Sequence, residues 1–455
     1  MNQKLGRVPV ARASRVCIAT NKTPLCVGVL VDLERHPAAG GHVKFWERIG
    51  AAVARNPDGI DLTVHFQGDE PGVEHVAPNV RFVHLPPVFS TRRIKWLSTL
   101  PDHTDLAPRH NGLASLLGNY DVLHTTDAYF AYARTAESYA RGNGIPLVTS
   151  LHTNTPALTL AQSRLIFARL LNGSPIARTV RLPEYIGNRM QRRLIRHLKH
   201  CRYAHLSEGM RQLGETAGCC GREWGVLRRG IDRDLFHPAK RDRSRLLEDY
   251  GISSNSFLLC YVGRIDASKQ VGLLADAAVG ARNAGVPVHV VMAGEGGECR
   301  RIQERLDADV TFTGFLGGEE LARVYASADV LVFPSRIEIA PNVVLEAKAS
   351  GLPVMVTKEG GGAMVRENGT DGIVLASDEA DEWADGIERL YRDGGMCRRM
   401  GRSARGEVER HRPTWDEVLT EDLLPVWRKA ANVAQASSLQ WDSRPPLIAK
   451  VFPPT

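Results

Sequence analysis

The sequence predicts an α/β protein of two similar domains, each a parallel sheet covered by helices on both faces. Short apolar runs rich in β-branched residues recur, each followed by a segment of helical length, and the series occurs twice. In the first half the strand-like runs are 15–20, 60–67, 80–85, 121–124 and 145–150, with helical patterns at 42–55 and 128–142 among them. In the second half they are 257–263, 286–293, 310–314, 330–334, 353–356 and 372–375. Helical patterns at 270–285, 297–306, 319–328, 342–351 and 379–393 alternate with these. A polar stretch, 232–244, rich in Arg and Asp and holding Pro238, parts the two series and reads as a linker. The expected organisation is a Rossmann-like domain over 1–231, the linker, and a second Rossmann-like domain over 245–413. A further amphipathic helix over 414–431, capped by Thr414 with Glu417 three residues on, precedes a poorly ordered tail, 432–455.

Composition narrows the function classes. The length, 455 residues, is about three domains' worth at ~150 residues each, although a large α/β domain runs well beyond that. Hydrophobic residues make up 43% and charged residues 24%, which suits a large packed core and not wholesale disorder. No apolar run approaches the ~20 residues a membrane helix needs. The apolar stretch 16–33 is broken by Asn21-Lys22-Thr23-Pro24, which argues against a secretory leader. The eight cysteines (17, 26, 201, 219, 220, 260, 299 and 397) include no C-x-x-C, and Cys219 and Cys220 are adjacent. They read as reduced thiols without a shared role, Cys17 and Cys260 acting as small hydrophobes inside strands. The net charge of +7 is mild over the whole chain and matters only where it clusters. It clusters at 164–202, which holds ten Arg or Lys against one acid, Glu184.

The densest chemical signal is VLVFPSRIEIAPNVVLEAKASGLPV, starting at Val330. A buried strand runs into a loop carrying Glu338, and a helix opens near Pro341, which suits a first helical position because its missing N–H has no partner there. The amides of Asn342, Val343 and Val344 would face outward from that helix end, with the dipole behind them, as an anion site suited to a diphosphate. Glu338 and Glu346, eight positions apart, are placed to accept hydrogen bonds from sugar hydroxyls; an ordinary strand–loop–helix with two solvated glutamates is the bland alternative. This stretch resembles the E-x7-E signature of the retaining GT-B glycosyltransferases of the large sucrose-synthase-like family, family four. The resemblance implies that Glu338 binds the donor sugar, that Asn342 and Val343 hold the diphosphate, and that Glu346 takes the nucleotide ribose.

Other segments fall into the same order. CYVGRIDASKQVGLL, from Cys260, resembles the family's G-R-x4-K element, so Gly263 allows close approach while Arg264 and Lys269 neutralise the leaving nucleoside diphosphate. Taken alone, two basic residues read as a solvated pair. The turn MAGEGG, with Gly294 and Gly296, falls where the family has its nucleotide-side glycines, and the backbone at Phe315 and Leu316 falls where it contacts the base. In the first half, Gly40 and Gly41 lie at the entry to a helix, as a phosphate-side turn or a plain loop. TSLHTNTPAL ends a strand with His152 and Thr153 and resembles the H-T-[ND] element of lipid and mannosyl transferases, where the His faces the reacting sugar. Asp127 ends another strand, as an acceptor-side residue or a helix cap. WGVLRRGIDRDLFHP, from Trp224, resembles the family's pre-linker segment. The resemblance covers roughly 16–431 and implies a GT-B fold: two parallel sheets facing across a cleft, with a C-terminal crossover helix. It departs at Ala340-Pro341, where the family usually has Phe-Gly, and at 362–364, where it commonly has another Glu.

What the resemblance implies is a retaining transfer of a hexose-type sugar from a nucleotide-sugar, UDP-sugar favoured over GDP-sugar, to a hydroxyl acceptor. It implies no cofactor and no metal; the D-x-D letters at 307–309 fall at a helix-to-strand turn away from the expected cleft. Within the basic segment, Arg189, Arg192, Arg193, Arg196 and Lys199 interleave with apolar residues as a cationic amphipathic helix. That pattern fits contact with anionic membrane and a diacylglycerol- or ceramide-like acceptor, and equally a solvated face or a patch for an anionic soluble acceptor. Nucleic acid fits poorly for want of interleaved aromatics. The expected location is cytoplasmic, peripheral on the inner face of the cell membrane if the basic segment docks there. A nucleotide-sugar 2-epimerase and a non-catalytic GT-B scaffold are the competing readings.

Overall fold

The computed structural model describes residues 24–36, 39–57, 59–94, 103–152, 155–156, 159–160, 163, 182–206, 223–336, 338 and 340–432. Its first strand, β1 (Leu25–Glu34), is the buried centre of an eight-stranded sheet, with Val27, Val29, Leu30 and Val31 shut off from solvent. The run expected at 15–20 lies outside the described residues, so the strand that fills the sheet's centre is the second part of the apolar stretch. β1 pairs in parallel with β2 (Ile60–Gln67) and with β5 (Val122–Thr125). Outside β2 lie β4 (Val80–Leu85) and an antiparallel edge, β3 (Gly72–Ala77). Outside β5 lie β6 (Leu147–Leu151), β7 (Tyr203–Leu206) and β8 (Glu223–Val226), all parallel. Three of these strands escape a reading by pattern: β7 (YAHL) and β8 (EWGV) lack the run of β-branched residues that marks the others, and β3 is an exposed edge.

The second sheet has six parallel strands in the order β11-β10-β9-β12-β13-β14. These are β9 (Phe257–Val262), β10 (Val288–Ala293), β11 (Val310–Gly314), β12 (Val330–Phe333), β13 (Val354–Thr357) and β14 (Ile373–Leu375). Cys260 is buried at the centre, opposite Leu331 of β12, as a small hydrophobe. Among the covering helices, α1 (Gly41–Arg55) and α2 (Ala131–Asn143) serve the first sheet, as does α3 (Leu182–His200). The second carries α4 (Arg243–Tyr250), α5 (Val271–Asn283), α6 (Cys299–Leu306), α7 (Gly318–Ser327), α8 (Asn342–Ala349), α9 (Ala380–Arg392) and α10 (Gly394–His411). In each sheet the strand order reverses beside the first strand, between β1 and β5 and between β9 and β12, so ligand-binding crevices open at those two strand ends.

The chain then returns to the first domain. Thr414 and Glu417 form a reciprocal capping box, Glu417 N–H to Thr414 Oγ1 at 3.2 Å and Thr414 N–H to Glu417 Oε2 at 2.6 Å. The helical segment that follows includes a wide π-type stretch, Val418–Leu423, and its Trp415, Leu419, Leu423 and Trp427 pack with Phe45 and Trp46 in the core of the first domain. Trp427 Nε1 donates to His124 Nδ1 at 2.9 Å, giving the buried indole its hydrogen bond. Arg228 clamps the same segment through Asp422 and Glu421, at 2.7 Å each.

Candidate functional site

The second domain supplies the donor-side residues from its two central strand ends. After β9 the backbone turns through Gly263 at φ +140°, a conformation that favours glycine. Arg264 follows, its Nε 3.4 Å from Asp266 Oδ2. The buried Tyr261 hydroxyl donates to the Arg264 carbonyl at 2.7 Å; burial, then Asp266 and Glu338, hold that phenol well above its usual range, with Arg264 opposing. Lys269, nearly buried, closes the turn and ion-pairs with Glu338, which follows β12. Thus a cation and an acid 69 positions apart meet at one crevice.

Gly294 and Gly296 have a packing cause of their own. A Cβ on Gly294 would lie 2.0 Å from the Gly263 carbonyl oxygen, and one on Gly296 2.1 Å from that of Ile265. The two loops pack backbone against backbone, and the glycines at both positions permit that contact. Phe315, just past β11, is exposed, with Leu316 half-buried beside it.

Helix α8 begins one residue later than the proline rule suggests: Pro341 is the extended cap residue and Asn342 the first helical one. The Val344 amide is spent on the Pro341 carbonyl at 3.2 Å, which leaves Asn342 and Val343 as the amides at the helix mouth. Glu346, one turn in, is buried; its carboxylate accepts from Tyr325 Oη at 3.2 Å and from Arg48 Nη2 at 2.8 Å. Arg48 belongs to α1 of the first domain, so this pair bridges the domains. The two helix mouths also face each other: a Cβ on Gly41 would lie 3.6 Å from Asn342 Nδ2, while one on Gly40 would meet nothing within 4 Å.

His152, at the end of β6, is buried against α1. Its ring stacks on His42 with centroids 4.4 Å apart and meets the edge of Phe45 at 4.9 Å, while Nε2 lies 2.9 Å from Ser150 Oγ. Burial first, then neighbouring His42 and Arg229, holds its pKa well below the usual imidazole range; burial and Arg229 bring His42 down to about 3. Both rings are therefore neutral at pH 7. His152 packs with Phe45, Leu151, Leu227 and Arg229 in the first domain's wall.

One sequence expectation is corrected here, one is decided between its two readings, and a third falls outside the described residues. Asp127 accepts from the Tyr129 and Phe130 amides at 2.6 and 2.9 Å, so its hydrogen bonds are those of a turn-capping residue rather than a free acceptor-side acid. Arg193 turns inward from α3 to pair with Glu137 of α2 at 2.7 Å and is removed from the membrane-contact set, whereas Arg189, Arg192, Arg196 and Lys199 lie on the helix's exposed face. Thr153 lies outside the described residues. Arg48, His42 and Arg229 were not singled out by sequence; Arg229 stands in the quoted R-R-G-I-D, but which of the two arginines faces inward is a tertiary matter.

Glu137 also holds His197 Nδ1, at 3.1 Å. Burial works against the charge on that ring, yet the Cys201 sulfur and Glu137 outweigh it and raise its pKa to about 9. Burial likewise opposes the Glu137 carboxylate, but His197 and Arg193 hold it down to about 2. A raised histidine contributes fully below its unfolded pKa of about 6.5 and loses that as pH rises through the folded value; the acid contributes above about 4.5. Glu137→Gln is therefore expected to cost on the order of 2–3 kcal/mol near pH 6 and distinctly less above pH ~9.5. Urea unfolding at both pH values checks this, and an equal penalty at the two would sink it.

These features define a class. The fold is the GT-B fold of glycosyltransferases: the chain superposes on sucrose-phosphate synthase from Thermosynechococcus elongatus with a TM-score of 0.64 at 18% identity, covering 92% of this chain and 100% of that one. More particularly, residues 256–393 match the family model described as Glycosyl transferases group 1. Among curated relatives, a GDP-mannose-dependent alpha-mannosyltransferase of Corynebacterium glutamicum is 36% identical over 147 residues, 32% of this chain and 34% of that protein. A D-inositol 3-phosphate glycosyltransferase of Pseudarthrobacter chlorophenolicus is 27% identical over 383 residues, 80% of this chain and 85% of that protein. The chain thus spans about a third of the first relative's length and most of the second's.

Proposed function

We propose that the chain transfers a hexose-type sugar from a nucleotide-sugar to a hydroxyl of an acceptor, with retention at the anomeric carbon. The observation that carries this reading is the meeting, at one interdomain crevice, of two helix mouths, the Lys269–Glu338 pair and the Glu346–Arg48 pair. In this reading the diphosphate lies between the α1 and α8 mouths, where backbone amides and dipoles favour an anion. Lys269, nearly buried and already oriented, and the more exposed Arg264 stabilise the charge that develops as the glycosidic bond breaks. Glu338 accepts from a donor-sugar hydroxyl, and the departing phosphate oxygen takes the acceptor's proton on the face it leaves. No metal enters this scheme, and Asp309 of the D-x-D letters is engaged by Arg282 at 2.7 Å. Closure of the domains, tied by Arg48 and Glu346, excludes the water that would hydrolyse the donor.

For the acceptor we favour a membrane lipid, on the exposed Arg189, Arg192, Arg196 and Lys199. A polar hollow of about 190 Å³ lies at the ends of β1 and β2, lined among others by Glu34, Asp69, Arg92, Arg93 and His103, and is suited to a hydroxylated headgroup. The donor nucleotide we favour is UDP; the Corynebacterium relative's GDP-mannose makes GDP the competitor to test.

Incubation with UDP- and GDP-sugars and total lipid extract tests the reading: labelled lipid with stoichiometric nucleoside diphosphate is expected. An isomerised donor without nucleotide release would mark an epimerase, and nucleotide binding without turnover a scaffold. Glu346→Ala is expected to weaken nucleoside diphosphate binding about tenfold, since it removes both the ribose acceptor and the partner of Arg48. Calorimetric titration giving an unchanged Kd would remove Glu346 from the site.

A further inference from the structure

The segment 227–231 is held rigidly on the first domain. Leu227 is buried and its amide bonds to the Leu206 carbonyl at 2.9 Å; Ile231 N–H reaches the Pro413 carbonyl at 3.0 Å. Between them, a Cβ on Gly230 would lie 2.6 Å from the Trp415 ring. Arg228 leaves this segment toward Asp422, and Arg229 leaves it toward the crevice, its guanidinium 5.1 Å over the Phe45 ring. Its Nη1 is buried and meets no acceptor among the described residues, and the same holds for His42 Nε2. Around it Lys269 is engaged by Glu338 and Arg48 pairs with Glu346 through Nη2, its own Nη1 being buried and unmet as well, while His42 and His152 are neutral rings. Burial, with Arg48 adding to it, lowers the Arg229 pKa to about 10 despite the attraction of Glu338, so the side chain stays charged. Arg229 is half-buried with its Nη1 shut off from solvent, and a charge whose buried N–H is unmet is costly to a fold unless an anion arrives.

Resting on the function proposed above, we infer that Arg229, with His42 beside it, is a phosphate-binding residue of the crevice, presenting its fork to an oxygen of the nucleoside diphosphate from the first domain's side. A planar guanidinium stacked on Phe45 can present two N–H groups to one phosphate, which an ammonium cannot. The site then grips the leaving group from both domains: Arg264 and Lys269 from one, Arg229 from the other.

The test is calorimetric titration of the purified full chain with UDP, GDP, uridine and guanosine, on wild type, Arg229→Met and Arg229→Lys. For whichever diphosphate wild type binds, Arg229→Met is expected to raise Kd about tenfold or more, with the matching nucleoside's Kd changed less than twofold. Arg229→Lys is expected to fall between. The apo Tm of Arg229→Met is expected to be no lower than wild type, the opposite of a merely structural arginine. An unchanged diphosphate Kd in Arg229→Met overturns the assignment and leaves the proposed function standing. Equal losses for nucleoside and diphosphate also overturn it, and wild type that binds neither diphosphate overturns both. If Arg229→Met fails to fold, Arg229→Lys decides: a threefold loss confined to the diphosphate supports the role, and no loss overturns it.

Discussion

Lys269→Ala is expected to lower kcat by about 10²–10³ while changing the donor KM less than tenfold, the loss found when one preorganised donor to a developing charge is removed. The ammonium is held nearly out of water by the turn that follows Gly263 and is paired with Glu338 across the switch point of the second sheet. In the ground state it is shared with that carboxylate; as the glycosidic bond breaks, charge moves onto the phosphate oxygen and the ammonium's interaction strengthens there. Only an interaction that grows toward the transition state raises kcat, which is why the effect falls on turnover rather than on binding. Removing the ammonium also leaves Glu338 without its partner, so the cycle of Lys269→Ala, Glu338→Gln and the double variant separates the orphaned acid's share from the loss of the sugar contact that Glu338 itself makes. Steady-state kinetics on the donor identified by the sugar panel, with melting curves as the folding control, make the measurement. A kcat within threefold of wild type would detach Lys269 from the chemistry.

Lys348→Met is expected to destabilise the protein by about 3–5 kcal/mol, the cost of leaving buried acids without their cation. The Lys348 side chain is fully buried two residues past Glu346 on α8. Its Nζ donates to the Met364 carbonyl at 2.6 Å, to Asp371 Oδ2 at 2.7 Å and to Glu407 Oε2 at 2.6 Å, using all three N–H groups. Burial works against the Asp371 carboxylate, yet Lys348 and the Arg366 and Glu367 amides hold its pKa below the ordinary value. Such an acid contributes stability above its unfolded pKa of about 3.9, lost as pH falls through the lower folded value, so the Lys348→Met penalty shrinks as the pH falls below that of the unfolded acid. Guanidinium unfolding at pH 7 and pH 3 reads both quantities. A penalty below 1 kcal/mol at neutral pH would mean that the acids find water or Arg412, which already reaches Glu407 at 2.9 Å. Because α8 carries Glu346, nucleotide affinity is expected to fall along with stability.

Local chemistry made much of the second domain legible. Each of its six strands lies within or against an apolar run bounded by turn residues, and its carboxylates sit at fixed offsets from a strand end and a helix mouth. Such features are set within about twenty consecutive residues, and pattern reaches that far. The glycines at 294 and 296 show where this fails: a pattern says that a side chain is not tolerated, but not that the neighbour is another backbone turn. The basic helix shows the same limit. Five cations in amphipathic order suggest one charged face, yet Arg193 sits a residue off that face, and Glu137, 56 positions earlier in number, draws it inward.

The sequence by itself determined the two α/β domains, the crossover helix with its capping box, and the spacing that sets Glu338 and Glu346 on either side of a helix mouth. Those rest on backbone periodicity and on caps, which act over a few residues. Only the tertiary structure decided that Glu346 meets Arg48 across 298 positions, that Arg229 and not Arg228 faces the crevice, and that Asp127 caps a turn. A charge's partner is fixed by distance and burial, and both arise only when strands far apart in the chain come to lie side by side.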